Sequence, residues 1–282
     1  MRKLFAAICA IALLFTGCGG SEKSAKPANE AEQAKIGVIS HLNASEVEYN
    51  ELMKKLEKMY RPSKASINAE YKYFDKMNDM QLALESGQID ILSTYQNVAD
   101  YMTQRHDNKE ILPSERHLED SFCFALREDD TRLKNELNKA IKAMTADGTL
   151  SKLTKQYITD LKNGAEPPTV PIKKIDGAET IKVAVTGDLP PFDLVLADGT
   201  PAGFSTAVLS EISKRIGKNI ELINIDSNAR ASILSSKDAD VVFWVSVPKD
   251  STLLPNNIDQ PEGIAISEPY YHDIITHVGL KK

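Results

Sequence analysis

IKVAVTGDLPPFDLVLADGTPAGFSTAVLSEISKRIGKNIEL, residues 181–222, decides the architecture. Ile181–Val185 is a short apolar run and predicts a strand. Leu194–Phe204 turns at Asp198-Gly199 and predicts a hairpin. Ser205–Ile216 predicts a helix, and Gly217 closes it. Ile220–Ile225 is strand-like again. Strand, helix, strand in that order is the pattern of a parallel α/β unit.

The same alternation continues on both sides. Downstream, Ala229–Ser235 predicts a short helix and Asp240–Val247 a strongly apolar strand. Lys249–Gly263 reads as a loop, and Asp273–Gly279 as a final strand. Upstream, Lys162–Thr180 holds Pro167-Pro168, Pro171 and two glycines, and reads as a linker. Before it come helices at Thr131–Ala146 and Leu150–Leu161, broken by Asp147-Gly148, and a strand at Phe122–Leu126. Further upstream, strands are predicted at Ile36–Ser40, Ile67–Phe74 and Ile89–Thr94. Helices are predicted at Val47–Tyr60, Met77–Glu85 and Val98–Arg105. Ser45 is an N-cap candidate, with Glu48 as its capping-box partner. Two α/β lobes with largely parallel sheets follow.

The N-terminus reads as an address. Met1–Cys18 is MRKLFAAICAIALLFTGC, with a basic Arg2-Lys3 start and an apolar run at Leu4–Phe15. That run falls short of the roughly 20 residues a membrane-spanning helix needs. Leu14-Phe15-Thr16-Gly17-Cys18 looks like a bacterial lipobox, which implies lipidation of Cys18. Residues 18–35 read as a flexible tether. With Cys9 in the leader and Cys18 lipidated, Cys123 stands alone in the body, and its Phe122 and Phe124 neighbours suggest a buried strand position. The chain has 282 residues and a net charge of −6, which argues against nucleic-acid binding.

Residues 181–282 resemble the first lobe of family 3 bacterial extracellular solute-binding proteins, the amino-acid type of type II periplasmic binding protein. The resemblance rests on Pro190-Pro191-Phe192, Asp198-Gly199, Gly203-Phe204, Lys214-Arg215-Ile216-Gly217, Asp240 and Ser267-Glu268-Pro269-Tyr270-Tyr271. Residues 36–160 resemble the rest of that family. KIGVISHLNASEVEY is similar to the opening of its second lobe, ALESGQIDILSTY to the central helix and strand, and residues 124–157 to its closing helices. The implied fold is α/β, a two-lobe periplasmic-binding-protein-like II fold with a ligand cleft between the lobes. The lobe order is inverted, which implies circular permutation. The implied boundaries are leader 1–17, tether 18–35, second lobe 36–118, inter-lobe crossing strand 119–128, and first lobe 129–282 with closing helices 131–161 and linker 162–180. One covalent connection then joins the lobes, and residues 279–282 end beside Lys35-Ile36.

The resemblance implies a lipid-anchored extracytoplasmic protein that captures a small molecule, an amino acid or related metabolite, for an ABC permease by hinge closure of its lobes. It implies no nucleic-acid partner, a monomer with a domain-swapped dimer left open, and no cofactor. Implied ligand-binding positions are Asn43, Ser45, Tyr95, Phe192, Trp244, Ser246 and Arg230. Core packing is the alternative reading for Phe192 and Trp244, and a plain helix cap for Asn43–Ser45. The Arg that such proteins place after the third strand of the first lobe is missing, because residues 247–255 read VPKDSTLLP. Lys249 offers charge but no bidentate fork. The acid that holds a ligand amino group falls on Tyr95, and another on Ala207. Two alternatives share the fold, a ligand sensor for a membrane receptor and a dehydratase-like enzyme. No nucleophile triad, metal spacing or phosphate loop supports the enzyme, and the five histidines are scattered.

Overall fold

The apolar runs form strands; among the described residues ten of them make one continuous sheet whose two lobe halves meet along two long antiparallel strands, and three short strands form a small separate sheet. The computed structural model describes residues 33–40, 50–51, 54, 69–113, 118–161, 165–246, 260 and 262–281. The leader, residues 18–32 of the expected tether, Asn43, Ser45 and Lys249 lie outside them, whereas Ala34 and Lys35, expected in the tether, already belong to the first strand.

The second lobe comprises β1 (Ala34–Ile39), β2 (Ala69–Phe74), α1 (Met77–Glu85), β3 (Ile91–Tyr95), α2 (Gln96–Arg105) and β4 (Lys109–Ile111). The chain then enters β5 (Glu119–Arg127), α3 (Thr131–Ala146) and α4 (Thr149–Thr154), which runs into a π-helical turn at Lys155–Thr159. The first lobe follows: β6 (Thr180–Val185), β7 (Asp188–Leu189), β8 (Asp193–Val195), β9 (Pro201–Ala202), α5 (Phe204–Ile216), β10 (Asn219–Asn224), α6 (Arg230–Ser235), β11 (Val241–Ser246), β12 (Ile264–Ile266) and β13 (Tyr271–Leu280).

In the second-lobe half of the sheet β1 lies parallel to both β2 and β3. In the first-lobe half β6 lies parallel to β10 and β11. β5 is antiparallel to β11 and β12 and belongs to the first-lobe half. β13 belongs to both halves. Tyr271–Ile274 pair with Phe122–Glu119 of β5, whereas Ile275–Val278 pair with Tyr95–Leu92 of β3. The last strand is therefore longer than Asp273–Gly279 and is not confined to the first lobe. Two neighbouring strands, not one, lead between the lobes. At its far end Val278 faces Leu92, which faces Gly37 of β1. The end of β13 and the start of β1 thus share one end of the sheet, two strand spacings or roughly 10 Å apart.

Local packing explains the layers. A Cβ on Gly37 would sit 2.5 Å from Ile89 Cδ1 and 3.0 Å from Met80 Cγ, so glycine lets α1 lie close on β1. Lys109 on β4 is 0% exposed and reaches Glu85 Oε1 at 2.5 Å, at the end of α1. In the first lobe α5 is buried nearly all round, because α3 and α4 pack on it as well as the sheet. Lys218, just beyond α5, is 8% exposed and bridges Glu136 of α3 and Glu179. The described part of the expected linker is docked: the Val170 N–H donates to the Pro201 carbonyl, and the Ile175 N–H to Asn219 Oδ1.

Candidate functional site

Aromatic rings fill the junction where β5 and β13 run between the lobes. Phe122 of β5 packs on Phe192 (centroids 4.5 Å apart), on Tyr95 of the second lobe (5.0 Å) and on Tyr271 of β13 (5.9 Å). Phe204 adds contacts to Phe192 and Tyr271. Phe122, Phe192 and Phe204 are all buried. These offset and edge-on ring pairs join residues of both lobes into one apolar body. The Tyr271 hydroxyl accepts a hydrogen bond from Asn97 Nδ2–H, and burial pushes its pKa up to about 12.

Behind the rings lies a cavity of about 30 Å³ in the first lobe, lined among others by Phe192, Asp193, Thr186, Ser205, Tyr270 and Arg230. It is large enough for one water-sized occupant. Asp193 is 4% exposed. Its Oδ2 accepts from the N–H groups of Thr186 (3.0 Å) and Gly187 (2.9 Å) and from the Thr186 hydroxyl (3.2 Å). Asp193 Oδ1 and Arg230 Nε are buried without a hydrogen-bond partner among the described residues. Burial raises the Asp193 carboxyl to about 6, against the pull of those donors. The cavity thus offers one acceptor and one cationic donor.

Helix N-termini in this fold are candidate anion sites, because their first N–H groups lack partners within the helix. Here the protein fills them itself. The Met77 N–H at the start of α1 donates to Asp188 Oδ2 of the first lobe at 2.7 Å. The Asn97 N–H at the start of α2 donates to Asp273 Oδ2 of β13 at 3.1 Å. The Phe204 and Ser205 N–H groups opening α5 donate to the Pro191 and Phe192 carbonyls. Gly203 permits that last approach: its φ is +97°, and a Cβ there would meet the Phe192 carbonyl oxygen at 2.6 Å. Burial raises the pKa values of Asp188 and Asp273, partly offset by the helix N–H groups they cap.

Several expected site residues are brought together. Phe192 and Arg230 line one cavity, and Tyr95 reaches Phe192 through Phe122. Trp244 and Ser246 stand on β11, in register with Cys123 and Ser121 of β5. Asn43, Ser45 and Cys18 lie outside the described residues. Cys123 is buried, as its Phe neighbours suggest. Among the described residues no group of three His, Cys, Asp or Glu side chains is placed to hold a metal, and no helix is long and apolar enough to cross a membrane.

Phe122, Asp193 and Asp273 were not among the expected site residues. Asp193 follows the Pro-Pro-Phe turn directly, and a carboxylate there meets the Thr186-Gly187 N–H groups; that local signal was available in the sequence. Asp273 has no such signal, because it acts 176 residues away from Asn97. A larger groove of about 450 Å³ lies between α1 and α2, lined in part by Met77, Leu82, Tyr101 and Met102 with Pro190 of the first lobe at its edge.

The profile of the bacterial extracellular solute-binding proteins, family 3, matches residues 49–160 and 181–249. No curated protein matches the chain. Among solved structures the chain is similar to the ligand-binding component of an ABC-type import system from Staphylococcus aureus with zinc bound. That match has 12% identity and a TM-score of 0.44, and covers 88% of this chain and 66% of that one. It is also similar to a nutrient-binding protein from Burkholderia cenocepacia bound to methionine, with 14% identity, a TM-score of 0.40 and coverage of 87% and 84%. The GluR0 ligand-binding core in complex with L-glutamate matches at 11% identity and a TM-score of 0.40, covering 89% of this chain and 86% of that one. The family profile takes in well over half the chain. With its two α/β lobes joined at an aromatic junction, the chain is a ligand-binding protein that belongs to the bacterial extracellular solute-binding proteins, family 3.

Proposed function

We propose that the protein captures a small solute, an amino acid or related metabolite, between its lobes on the outer side of the bacterial membrane and delivers it to an ABC permease. The family match over residues 49–160 and 181–249 carries this reading. Cys18 in its lipobox-like context anchors the protein through lipid, and the segment from Cys18 to the start of β1 tethers it. Closure turns on β5 and β13. Tyr95, Phe192, Arg230, Trp244 and Ser246 contribute to the solute site, and Asn43 and Ser45 are further contributors implied by the sequence resemblance. The solute differs from a standard α-amino acid in how it is held. Residues 247–255 supply no Arg, and the starts of α1 and α2 are already capped by carboxylates.

The lobe order is explained by circular permutation. Two placements support it: β13 ends at the same end of the sheet at which β1 starts, and the segment from 165 to 180 is docked between the closing helices and β6. The permuted ends need only lie close together at the surface.

Native mass spectrometry of the protein lacking residues 1–18, followed by denaturation, tests the reading. A small molecule released at one per chain is the expected result, and it names the solute class. No released molecule, together with no thermal shift across a metabolite panel, overturns capture.

A further inference from the structure

The rim of the junction away from β5 and β13 is held differently from the ring cluster. Helix α1 starts at Met77, and its own N-cap residue, Lys76, supplies no side-chain acceptor. The acceptor comes from the other lobe: Asp188 Oδ2, 2.7 Å from the Met77 nitrogen and 111 residues further along the chain. Three more contacts run beside it between the loop after β2 and the loop after β10. Lys76 Nζ lies 3.1 Å from Asp226 Oδ1. Asn228 Nδ2–H donates to Asp75 Oδ2 at 2.8 Å, and the Ser227 N–H donates to the Asp75 carbonyl at 3.4 Å. All four join second-lobe residues 75–77 to the first lobe, one at the start of β7 and three in the segment after β10.

A carboxylate on a helix N-terminus satisfies an N–H group that has no partner in the helix and meets the positive end of its dipole. For α1 this satisfaction exists only while the lobes touch. We propose that Asp188 is an intramolecular latch: a first-lobe carboxylate that caps a second-lobe helix and holds the lobes together with no solute present. The proposal rests on the two-lobe capture reading. It adds a conformational tax. Where solute enters through an open form, the fraction of protein held shut by Asp188 lowers the apparent affinity by the same fraction.

Hydrogen-exchange mass spectrometry of the full chain, with no solute added, tests the latch. The variants are Asp188→Ala and the milder Asp75→Ala, which removes the Asn228 partner alone. A latch couples two faces. In Asp188→Ala, amides of residues 75–80 and of residues 226–230 exchange faster together, by about five- to tenfold for the loss of one cap. Asp75→Ala moves the same two segments by less. Faster exchange at 75–80 with 226–230 unchanged marks a merely local cap and overturns the latch, and so does no change in either. If Asp188→Ala does not fold, Asp75→Ala decides by the same criterion. Because no solute is added, the outcome is independent of whether a released molecule is ever found.

Discussion

The lobes touch in two places of opposite chemistry. On one side β5 and β13 form a continuous antiparallel ladder, and Phe122, Phe192, Tyr95 and Tyr271 pack edge-on or tilted across it. Opening that side exposes large apolar area and breaks backbone pairs. On the other side four polar contacts join residues 75–77 to the first lobe, and the Lys76–Asp226 pair is more than half exposed. Polar groups at a surface exchange one set of hydrogen bonds for water at little net cost. The lobes therefore have one edge that behaves as core and one that behaves as a reversible contact. That asymmetry is what a hinge requires: motion concentrates at the edge that is cheap to solvate.

The comparison breaks most visibly at the ring cluster. Phe122→Ala is expected to destabilise the protein by about 3–5 kcal/mol, because a large buried ring leaves a cavity shared by both lobes. Chemical denaturation with intrinsic fluorescence checks this, and a loss below about 1 kcal/mol would remove Phe122 from the shared core.

Asp193 comes next. Its folded carboxyl titrates at about 6, above the 3.8 of an ordinary Asp, so the folded state binds its proton more tightly than the unfolded chain does. The stability it contributes is complete below about pH 4 and is lost as pH rises to 6, about 3 kcal/mol in all. Asp193→Asn is expected to flatten that slope. Urea midpoints at pH 4, 5 and 6 for both proteins provide the check, with parallel profiles as the contrary result.

Asp273→Ala uncaps α2 and is expected to cost about 0.5–2 kcal/mol, with faster amide exchange confined to residues 96–99. At the rim, Lys76→Ala is expected to leave the melting temperature unchanged within error at physiological salt, since the pair is exposed and screened. A clear drop there would erase the proposed difference between the two edges.

Sequence pattern reached the elements whose causes are local. Met77–Glu85 and Thr131–Ala146 have the expected bounds because apolar spacing and the following Gly87 and Asp147-Gly148 stops mark them. The Asp198-Gly199 hairpin and the Gly217 helix end are likewise where the turn chemistry puts them. Lys109–Ile111 and Ile264–Ile266 escaped, as three-residue strands paired only with distant partners. Leu150–Leu161 reads as one helix but widens into a π turn after Thr154. Alternation along β13 tells which residues point inward, not that one strand serves both halves of the sheet. At the candidate site, the resemblance named Phe192, Arg230 and Tyr95, and the structure places all three at or beside the ring junction. The caps Asp188 and Asp273 were not, because each acts across more than a hundred residues.

Lys109 and Lys218 acquire a use from their burial. Among the described residues each lobe has one lysine sealed beneath carboxylates, Lys109 in the second and Lys218 in the first. An acylating reagent modifies surface amines at once but reaches these two only when their own lobe loosens. Their rates of modification, followed side by side in one sample, give each lobe its own timer.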